Sequence, residues 1–471
     1  MLIAREKEKE KLLKAADSEY SQYIAIYGRS RIGKTFLVRE VYGENIFFSH
    51  TGIANEKTAT QLEAFRDSLR SYGIESDIPS TWIDAFGQLK SAIANAKEGK
   101  KIIFLDELSW MDTAKSDFMA ALEFFWNGWA SARKDIVLVV CASSTSWMLN
   151  KVIHNKGGLH NRLTGQIYLE PFSLKDCELL AKSYGLAMSH IDILNCYMIM
   201  GGVPHYWSFL EKGYSLSQNI DNIFFDKSAP LRDEYKYLYA SLFKNPETYM
   251  NIVSTLGKKK AGKTRSEIIE DAKLTNSGAV TKQLEELELC GFIRKYTEYG
   301  KKKKGSVYQL IEPFTLFYFH FMKNKSSDEH FWSNSFGTPK INTWQGLAFE
   351  RVCLLHVKQI KKKLEIGGVV TEEYSWLCKN DEENGILGAQ IDLLIYRKDQ
   401  VINICEMKYY NSTYSLGKKE NESILNKMES FRKVTGTRFA LHPILITTVG
   451  LHENEYSNII QAVITVDDLF V

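Results

Sequence analysis

The sequence predicts an α/β protein with a helix-covered parallel sheet in its first half and a second α/β unit at its C-terminal end. In the first half, short apolar segments alternate with helical segments, which is typical of parallel strands buried on both faces. From residue 340 onward, apolar segments recur in the order helix, three strands, helix, strand. A helical and partly basic stretch separates these two regions.

Length and composition are those of a folded protein with several domains. The 471 residues suggest two to four domains, and 44% hydrophobic with 25% charged residues is ordinary for such a protein. Seven scattered cysteines without a CxxC pair argue against structural zinc and a disulfide framework, and they fit a reducing cytoplasm. The charged segment MLIAREKEKEK is unlike a signal peptide, and the apolar stretches are far shorter than the ~20 residues of a membrane span. We therefore expect a cytoplasmic protein that does not enter membranes.

The first domain is predicted at 1–172 and a helical lid at 173–240. Within the lid, the glycines and the proline of GGVPHYW (201–207) interrupt the helical period. The strands of the first sheet are expected at 23–28, 45–51, 101–107, 136–143 and 165–170.

The segment YIAIYGRSRIGKTF contains the motif GxxxxGK[ST] between a strand and a helix. Its glycines allow backbone N–H groups to point at phosphate oxygens. Lys34 would reach the β- and γ-phosphates, and the Thr35 hydroxyl would coordinate Mg²⁺. The alternative is a glycine turn that happens to precede a helix. The predicted nucleotide-binding residues are Gly28, Arg29, Ser30, Arg31, Ile32, Gly33, Lys34, Thr35, Phe36 and Asp106.

The apolar segment KIIFLDELSW ends in two carboxylates, Asp106 and Glu107. Asp106 would hold Mg²⁺ through water, and Glu107 would polarise the water that attacks the γ-phosphate. The alternative is two acidic residues that begin the next loop. Ser144 is a candidate γ-phosphate sensor or a helix cap. Arg162 either stabilises charge on the transferred phosphate or is a surface arginine.

The segments REKEKEKLL, YGRSRIGKT, FLDELSWM, CASSTSWM, RLTGQIYLEPFS and GGVPHYW follow one another along the chain. Together they resemble a prokaryotic family of AAA+/STAND-like P-loop ATPases, best known from archaea, whose members often carry a C-terminal domain like a restriction endonuclease. The resemblance covers essentially the whole chain. It implies ATP binding by Gly33, Lys34 and Thr35 and hydrolysis through Asp106 and Glu107.

Residues 241–325 are expected to form a winged helix and an aromatic-rich connector, because two helical segments precede a basic β-hairpin. Between Gly257 and Gly305 stand thirteen Lys or Arg residues and seven Asp or Glu residues, a difference of +6. Four consecutive lysines, 301–304, lie at the predicted hairpin tip and would contact DNA phosphates. The alternative is a solvated wing, or a module used as a spacer or for protein contact.

Two carboxylates and a lysine lie inside the apolar strands of IDLLIYRKDQVINICEMKYY. Charges are rare in such places unless they are paired or bind a ligand. If the RKDQ turn closes an unbulged hairpin centred on Asp399, then Asp392 and Glu406 face each other, with Lys408 on the same face as Glu406. A Mg²⁺ or Mn²⁺ ion between the two carboxylates would relieve their repulsion.

This arrangement resembles the site of PD-(D/E)XK nucleases, with Asp392 followed by Glu406-Met407-Lys408. The resemblance implies metal binding by Asp392 and Glu406, orientation or deprotonation of water by Lys408, and an outer metal ligand, Glu350, on the first helix. The alternative is a relic ion-paired cluster in a domain that binds nucleic acid or protein. The following helix, KKENESILNKMESFRK, offers no clear fourth element.

We therefore expect an ATP-binding and ATP-hydrolysing protein coupled to a Mg²⁺-dependent nuclease-like domain at 326–471 that acts on DNA. The alternatives are a STAND-type ATP switch and a DNA-binding regulator, each with a catalytically inactive nuclease-like domain. Nucleotide and DNA are the expected partners. The oligomeric state stays open, because Arg162 could act within its own chain or on a neighbour's nucleotide.

Overall fold

The computed structural model describes residues 2–154, 157–243, 245–301, 305–324 and 327–471. The chain divides into two compact units, Met1–Pro171 with Tyr237–Pro246, and Phe172–Lys236 with Glu247–Val471. The predicted domain boundaries at 172, 240 and 325 stay predictions. Over the described ranges, the structure contains no helix with the length and apolarity needed to cross a membrane.

In the first unit, helices and strands alternate along the chain, and each strand boundary lies within two residues of its predicted position. The elements are α1 (Glu6–Ala16), β1 (Gln22–Tyr27), α2 (Lys34–Tyr42), β2 (Ile46–Thr51), α3 (Thr58–Ser71), α4 (Trp82–Asn95), β3 (Lys101–Asp106), α5 (Leu108–Met111), α6 (Phe118–Gly128), β4 (Ile136–Ala142), α7 (Thr145–Met148) and β5 (Gly165–Tyr168).

These five strands form one parallel sheet in the order β2-β3-β4-β1-β5. Tyr23 and Ala25 of β1 pack into one apolar core, and the alternating residues Ile24 and Ile26 pack into another. Burial on both faces explains why the strands are continuously apolar. Because β4 lies between β3 and β1, the residues that follow β4 lie between those that follow β3 and β1.

The second unit begins with helices and continues through a small sheet. Serine or threonine caps begin four of the helices with reciprocal capping boxes, at Ser173, Ser189, Ser215 and Thr264. The boundaries between the two units fall within α12 and at the start of α13. The elements are α8 (Leu174–Ser183), α9 (His190–Met200), α10 (Pro204–Trp207), α11 (Leu216–Ile220), α12 (Glu234–Leu242), α13 (Pro246–Leu256), β6 (Lys263–Thr264), α14 (Arg265–Asp271), α15 (Gly278–Leu289), β7 (Ile293–Tyr296), β8 (Val307–Leu310), α16 (Pro313–Phe317) and α17 (Phe331–Ser335).

The small sheet is antiparallel, with strand order β6-β8-β7. Helices α14 and α15 precede the β7–β8 hairpin, which is the predicted order of two helices and a hairpin. Residues 302–304, three of the four lysines assigned to the hairpin tip, lie outside the described residues.

The C-terminal part of the second unit is a mixed sheet with strand order β15-β13-β11-β10-β9. Strand β10 is antiparallel to its neighbours β9 and β11, whereas β13 is parallel to its neighbours β11 and β15. Helix α20 provides the crossover that the parallel pair β11–β13 requires. The elements are α18 (Pro339–Leu355), α19 (Val357–Lys363), β9 (Thr371–Cys378), β10 (Ala389–Arg397), β11 (Val401–Lys408), β12 (Tyr414–Ser415), α20 (Lys418–Thr435), β13 (Ala440–Thr447), β14 (Leu451–His452) and β15 (Ala462–Ile464).

Candidate functional site

The loop between β1 and α2 turns tightly over residues 28–33. The backbone angle φ is positive at Gly28 (145°), Arg31 (69°) and Gly33 (90°). A Cβ atom at Gly28 would lie 2.4 Å from the carbonyl oxygen of Leu169, so this position requires glycine for space as well as for conformation. The resulting curved backbone is of the kind that binds anions through N–H groups.

Lys34 lies at the first turn of α2 and is only 4% exposed. Its Nζ donates hydrogen bonds to the carbonyl oxygens of Gly28 (3.0 Å) and Arg29 (2.9 Å), and to the hydroxyl of Ser143 (2.9 Å). The ammonium therefore lies within the curve of the loop. It adds a full positive charge to the N-terminal end of a nine-residue helix, which itself favours anions.

Thr35 and Asp106 join the helix after the loop to the end of strand β3. The Thr35 hydroxyl donates a 2.6 Å hydrogen bond to Asp106 Oδ2. Asp106 is 2% exposed, and this burial raises the pKa of its carboxyl group. The Thr35 hydrogen bond and the charge of Lys34 oppose that rise, whereas the charge of Glu107 adds to it. A hydroxyl and a carboxylate thus meet beside the loop.

Glu107 follows β3 in the left-handed backbone region, with φ 53°. Its carboxylate accepts a 3.2 Å hydrogen bond from the backbone N–H of Ser143 and a second, short one from the Ser143 hydroxyl. The same hydroxyl accepts from Lys34, so Ser143 connects the phosphate loop with Glu107. The structure therefore brings Ser143 to this site, where the sequence suggested Ser144. Ser144 is the N-cap residue of α7 and makes no side-chain capping bond.

The other predicted loop residues have different surroundings. Ile32 and Arg29 are 1% and 4% exposed, so both side chains are packed inside the unit. Phe36 is 50% exposed, and Arg162 is exposed in the turn before β5. In the described part of the chain, neither Phe36 nor Arg162 belongs to the hydrogen bonds that join Lys34, Ser143 and Glu107.

The predicted register of the β10–β11 hairpin is confirmed. Leu393 lies opposite Cys405 and Tyr396 opposite Ile402, so each pair is centred on residue 399. One further step of this register would oppose Asp392 and Glu406.

Glu406 has two lysine partners in the structure. Its Oε1 lies 2.9 Å from Lys408 Nζ on the same strand, and its Oε2 lies 2.6 Å from Lys427 Nζ on α20. Burial alone would raise the pKa of Glu406, but the charges of Lys427 and Lys408 outweigh burial and lower it. Burial likewise disfavours the charged form of Lys408, yet Glu406 raises its pKa. Glu406 is therefore an ionised carboxylate between two ammonium groups.

Asp392 and Glu350 share a different lysine. Lys260 Nζ lies 2.7 Å from Glu350 Oε1 and 4.0 Å from Asp392 Oδ2. Asp392 Oδ1 also accepts a 2.7 Å hydrogen bond from Gln390. Burial and the charge of Asp392 raise the pKa of Glu350, and Lys260 opposes that rise.

The structure does not gather the three predicted metal-binding carboxylates into one group. Among the described residues, no three His, Cys, Asp or Glu side chains lie close enough together to hold a metal ion. Lysines separate them instead, because Glu350 pairs with Lys260 while Glu406 pairs with Lys408 and Lys427. Lysine–glutamate pairs, which the alternative of an ion-paired cluster predicts, are thus present at two residues predicted as metal ligands, Glu350 and Glu406.

The segment that follows β7 packs against the C-terminal sheet. Tyr299 donates its backbone N–H to Ser375 of β9 (2.9 Å). Its ring centroid lies 5.4 Å from that of Tyr374 and 5.2 Å from that of Phe431, which is completely buried. The first arm of the predicted wing is therefore fixed inside the protein.

Several basic residues between Gly257 and Gly305 have acidic partners within the protein. Lys259 pairs with Glu267 (2.7 Å), and Lys263 pairs with Asp271. Lys301 pairs with Glu298. These pairs neutralise part of the local positive charge that the sequence assigned to DNA.

The sequence analysis did not identify three residues of these sites, Ser143, Lys427 and Lys260, although local patterns point to the first two. Ser143 immediately precedes the residue that was chosen. Lys427 was overlooked on α20, although it lies three residues after Ile424 and four before Phe431, which are both buried on one helical face. Lys260 was counted only in the net charge of 257–305, and no local pattern indicates its pairing with Glu350, which lies 90 residues further along the chain.

Residues 2–209 match the family model of an ATPase domain predominantly from Archaea. The chain therefore carries an archaeal-type P-loop ATPase domain. The uncharacterized protein MJECL04 of Methanocaldococcus jannaschii is 25% identical over 473 residues, which span 92% of this chain and all of that protein. Two solved structures are also similar. The Walker-type ATPase PABY2304 of Pyrococcus abyssi has a TM-score of 0.44 and 12% identity, covering 68% of this chain and 96% of the other. The ORC2 protein of Aeropyrum pernix, in ADPNP–ADP complexes, has a TM-score of 0.41 and 13% identity, covering 68% and 93%.

Proposed function

We propose that this chain binds and hydrolyses ATP in its first unit and carries, in its second unit, a Mg²⁺-dependent nuclease-like site that acts on DNA. The 2.6 Å hydrogen bond between Thr35 and Asp106 carries the first half of the proposal. It joins a hydroxyl and a carboxylate, the hard oxygen donors that Mg²⁺ prefers, at the helix that follows the phosphate loop. This donor set fits a Mg²⁺–nucleotide complex.

Each residue of the nucleotide site has its own task in this proposal. The loop backbone and Lys34 bind the phosphate groups, and Thr35 and Asp106 hold the Mg²⁺ that neutralises charge on them. Glu107 accepts a proton from the attacking water, and Ser143 orients the Glu107 carboxylate through two hydrogen bonds. Arg162 is exposed, and it would stabilise charge on the transferred phosphate within its own chain or in a neighbouring copy.

Phosphate release and ATP binding, measured separately, test this half. Glu107→Gln should retain ATP binding and lose about 100-fold in turnover, because it removes a general base. Lys34→Ala should lose ATP binding itself. Lys14→Ala, at a lysine whose side chain is 74% exposed, should change neither quantity. Unaltered turnover in Glu107→Gln would refute the assignment of the base.

The second half of the proposal rests on element order and on charged residues within strands. Helix α18, strands β9 to β11, helix α20 and strand β13 follow the α-β-β-β-α-β order of the PD-(D/E)XK core that the sequence resembles. By that resemblance, residues 326–471 form a restriction-endonuclease-like domain, and residues 241–325 form a winged helix with its connector. The difference of +6 between basic and acidic residues at 257–305 supports DNA as the partner.

Asp392 and Glu350 offer carboxylate oxygens, the donors that divalent cations prefer, whereas Glu406 is paired with Lys408 and Lys427. Among the described residues, Glu350 Oε2 is buried without a hydrogen-bond partner, and the Lys260 ammonium lies on the other oxygen of the same carboxylate. In this proposal Asp392 and Glu406 bind the metal, Glu350 completes its outer shell, and Lys408 orients or deprotonates water. The metal would activate that water and neutralise charge on the scissile phosphate.

Nicking of supercoiled plasmid in Mg²⁺ or Mn²⁺ tests the second half. Asp392→Ala should abolish nicking. Asp399→Ala, in the turn of the same hairpin and paired with Arg397, provides the matched control and should nick like the unaltered protein. Nicking that survives Asp392→Ala would come from another site or from a contaminant, and it would refute the proposed one.

One observation favours a second candidate function, a nucleotide-controlled switch or DNA-binding regulator without cleavage. Glu406 is held between Lys408 and Lys427, at 2.9 and 2.6 Å, so the ionised carboxylate already has two cationic partners. A domain that only binds DNA would retain such a cluster. It would shift DNA in gel-mobility experiments and leave plasmid intact with every divalent ion.

A further inference from the structure

Lys260 reaches from the loop between α13 and β6 to two carboxylates of the proposed nuclease-like site. Its ammonium lies 2.7 Å from Glu350 and 4.0 Å from Asp392, on α18 and β10 respectively. The nearby lysines 259 and 263 pair instead with Glu267 and Asp271, which belong to their own segment.

The backbone of Lys260 is fixed as firmly as its side chain. Its carbonyl oxygen accepts hydrogen bonds from Arg351 Nη2 and from Gln309 Nε2, both at 2.7 Å. Arg351 and Gln309 are each 2% exposed. Lys260 therefore contacts two consecutive residues of α18, with its carbonyl bound to Arg351 and its ammonium bound to Glu350.

Lys260 shares its two carboxylates with a buried guanidinium, because the charge of Arg351 interacts with both Glu350 and Asp392. The Lys260 ammonium faces two carboxylates, and in the part of the chain that the structure describes, the second oxygen of Glu350 is buried without a hydrogen-bond partner. A divalent cation would neutralise both negative charges. The Lys260 side chain is 48% exposed, so it can leave the carboxylates for solvent without opening the protein interior.

A cavity lies beside Asp392. Its volume is about 240 Å³, and it is lined by Ala261 and Gly262 of the same loop. The loop that carries Lys260 therefore forms one wall of the space next to the proposed metal ligand.

We propose that Lys260 is a tethered cation that occupies the position of the divalent metal beside Asp392 and the outer-shell residue Glu350, and that it keeps the nuclease-like site closed until it is withdrawn. This inference rests on the proposed nuclease-like function. The metal and the Lys260 ammonium compete for the same carboxylate oxygens. Binding of the metal therefore requires that the ammonium leaves them in exchange. Polyanions such as DNA, which attract the ammonium, favour the metal-bound state.

Mn²⁺ binding by the nucleotide-free full chain tests the exchange without measuring cleavage. A Thr35→Ala background removes the hydroxyl of the other proposed Mg²⁺ site, and electron paramagnetic resonance counts free and bound Mn²⁺. Lys260→Met keeps the length of the side chain and removes its charge, so it should bind Mn²⁺ about tenfold more tightly or better. Lys259→Met is the control and should bind like the background protein. Adding Glu350→Gln to Lys260→Met should abolish the gain.

A second measurement uses the unaltered lysine and does not depend on whether Lys260→Met folds. Reductive methylation followed by mass spectrometry reports how accessible each amine is. Mn²⁺ should increase methylation of Lys260 at least about threefold relative to Lys259, because the ammonium is displaced.

The outcomes separate the two proposals. Equal Mn²⁺ affinity in the background and in Lys260→Met, with loss of binding in Glu350→Gln, would overturn the tethered cation and leave the metal site standing. Mn²⁺ binding that is absent throughout, or insensitive to Glu350→Gln and Asp392→Ala, would overturn the metal site and the inference with it. Methylation of Lys260 that Mn²⁺ does not change would overturn the exchange.

Discussion

Ser143 donates both its backbone N–H and its hydroxyl hydrogen to the carboxylate of Glu107. This relationship follows from strand order, because β4 lies between β3 and β1 and its end reaches the residues that follow both. The Ser143 hydroxyl also accepts from Lys34. Ser143 is therefore placed to position Glu107 relative to the phosphate loop.

Substitution of Ser143 should separate positioning from binding. Ser143→Ala removes one hydrogen bond to Glu107 and one acceptor for Lys34, so kcat for ATP should fall about tenfold while KM changes less than about threefold. Ser144→Ala is the matched control and should retain kcat. A fall in both variants, or a change confined to KM, would assign Ser143 a different role.

Replacement of Asp106 should raise the thermal stability of the first unit and abolish its ATP hydrolysis. Burial raises the pKa of Asp106, so the folded protein binds this proton more tightly than the unfolded chain, and the stability contributed by this group falls as the pH rises. In calorimetry, Asp106→Asn should raise Tm by about 2–4 °C at pH 8 and by less at pH 5. ATP hydrolysis should be lost at both. The exposed Asp67→Asn serves as control, and a lower Tm for Asp106→Asn at pH 8 would contradict the argument.

The lysine on α20 should stabilise the C-terminal sheet in a pH-dependent way. Despite its burial, the pKa of Glu406 is lowered by Lys427 and Lys408, so the stabilisation is present at neutral pH and is lost as the pH falls through the folded pKa. Lys427→Met should lower the free energy of unfolding by about 1–3 kcal/mol at pH 7, and by less at pH 4, because one partner of a buried carboxylate is removed. Urea titrations at both pH values measure this difference.

The matched control lies on the same helix. Lys433 pairs with Glu429 at 2.8 Å, but both side chains are largely exposed. Lys433→Met should therefore change stability by no more than about 0.5 kcal/mol. Equal effects of the two substitutions would mean that the Glu406 pair contributes no more than a surface pair.

Tyr299 should contribute to the stability of the second unit. Its ring packs against Tyr374, Tyr396 and Phe431, so Tyr299→Ala should cost about 2–3 kcal/mol of unfolding free energy. Tyr299→Phe keeps the ring and should cost less than about 1 kcal/mol. ATP turnover should be unchanged in both. A loss below about 0.5 kcal/mol for Tyr299→Ala would mean that this contact does not stabilise the fold.

Local sequence patterns were sufficient for the elements and for one long hairpin. Continuous apolar runs indicated the parallel strands because those strands are buried on both faces. The turn centred on Asp399 set the register of β10 and β11, because hairpin pairing depends only on the residues that close the turn. The motif at Gly33, Lys34 and Thr35 indicated the phosphate loop because its strand, loop and helix are contiguous in the sequence.

Contacts between distant segments could not be read in this way. Lys260 and Glu350 are 90 residues apart, and their pairing depends on how the loop before β6 packs on α18. The choice between Ser143 and Ser144 depends on where β4 ends, because successive side chains along a strand point to opposite faces of the sheet. The net charge of 257–305 therefore indicated a DNA-binding surface, because a count of charges does not show which lysines have acidic partners.

The pairing of Glu298 with Ser375, beside Tyr299, has a consequence for how the C-terminal part can be isolated. Strand β9 is the outermost strand on its side of the sheet, and unpaired backbone groups on such a strand are a template for strands of other molecules. Residues 298–299 cover the middle of that template. A fragment beginning at residue 326 would contain every strand of the sheet and still lose this protection against aggregation.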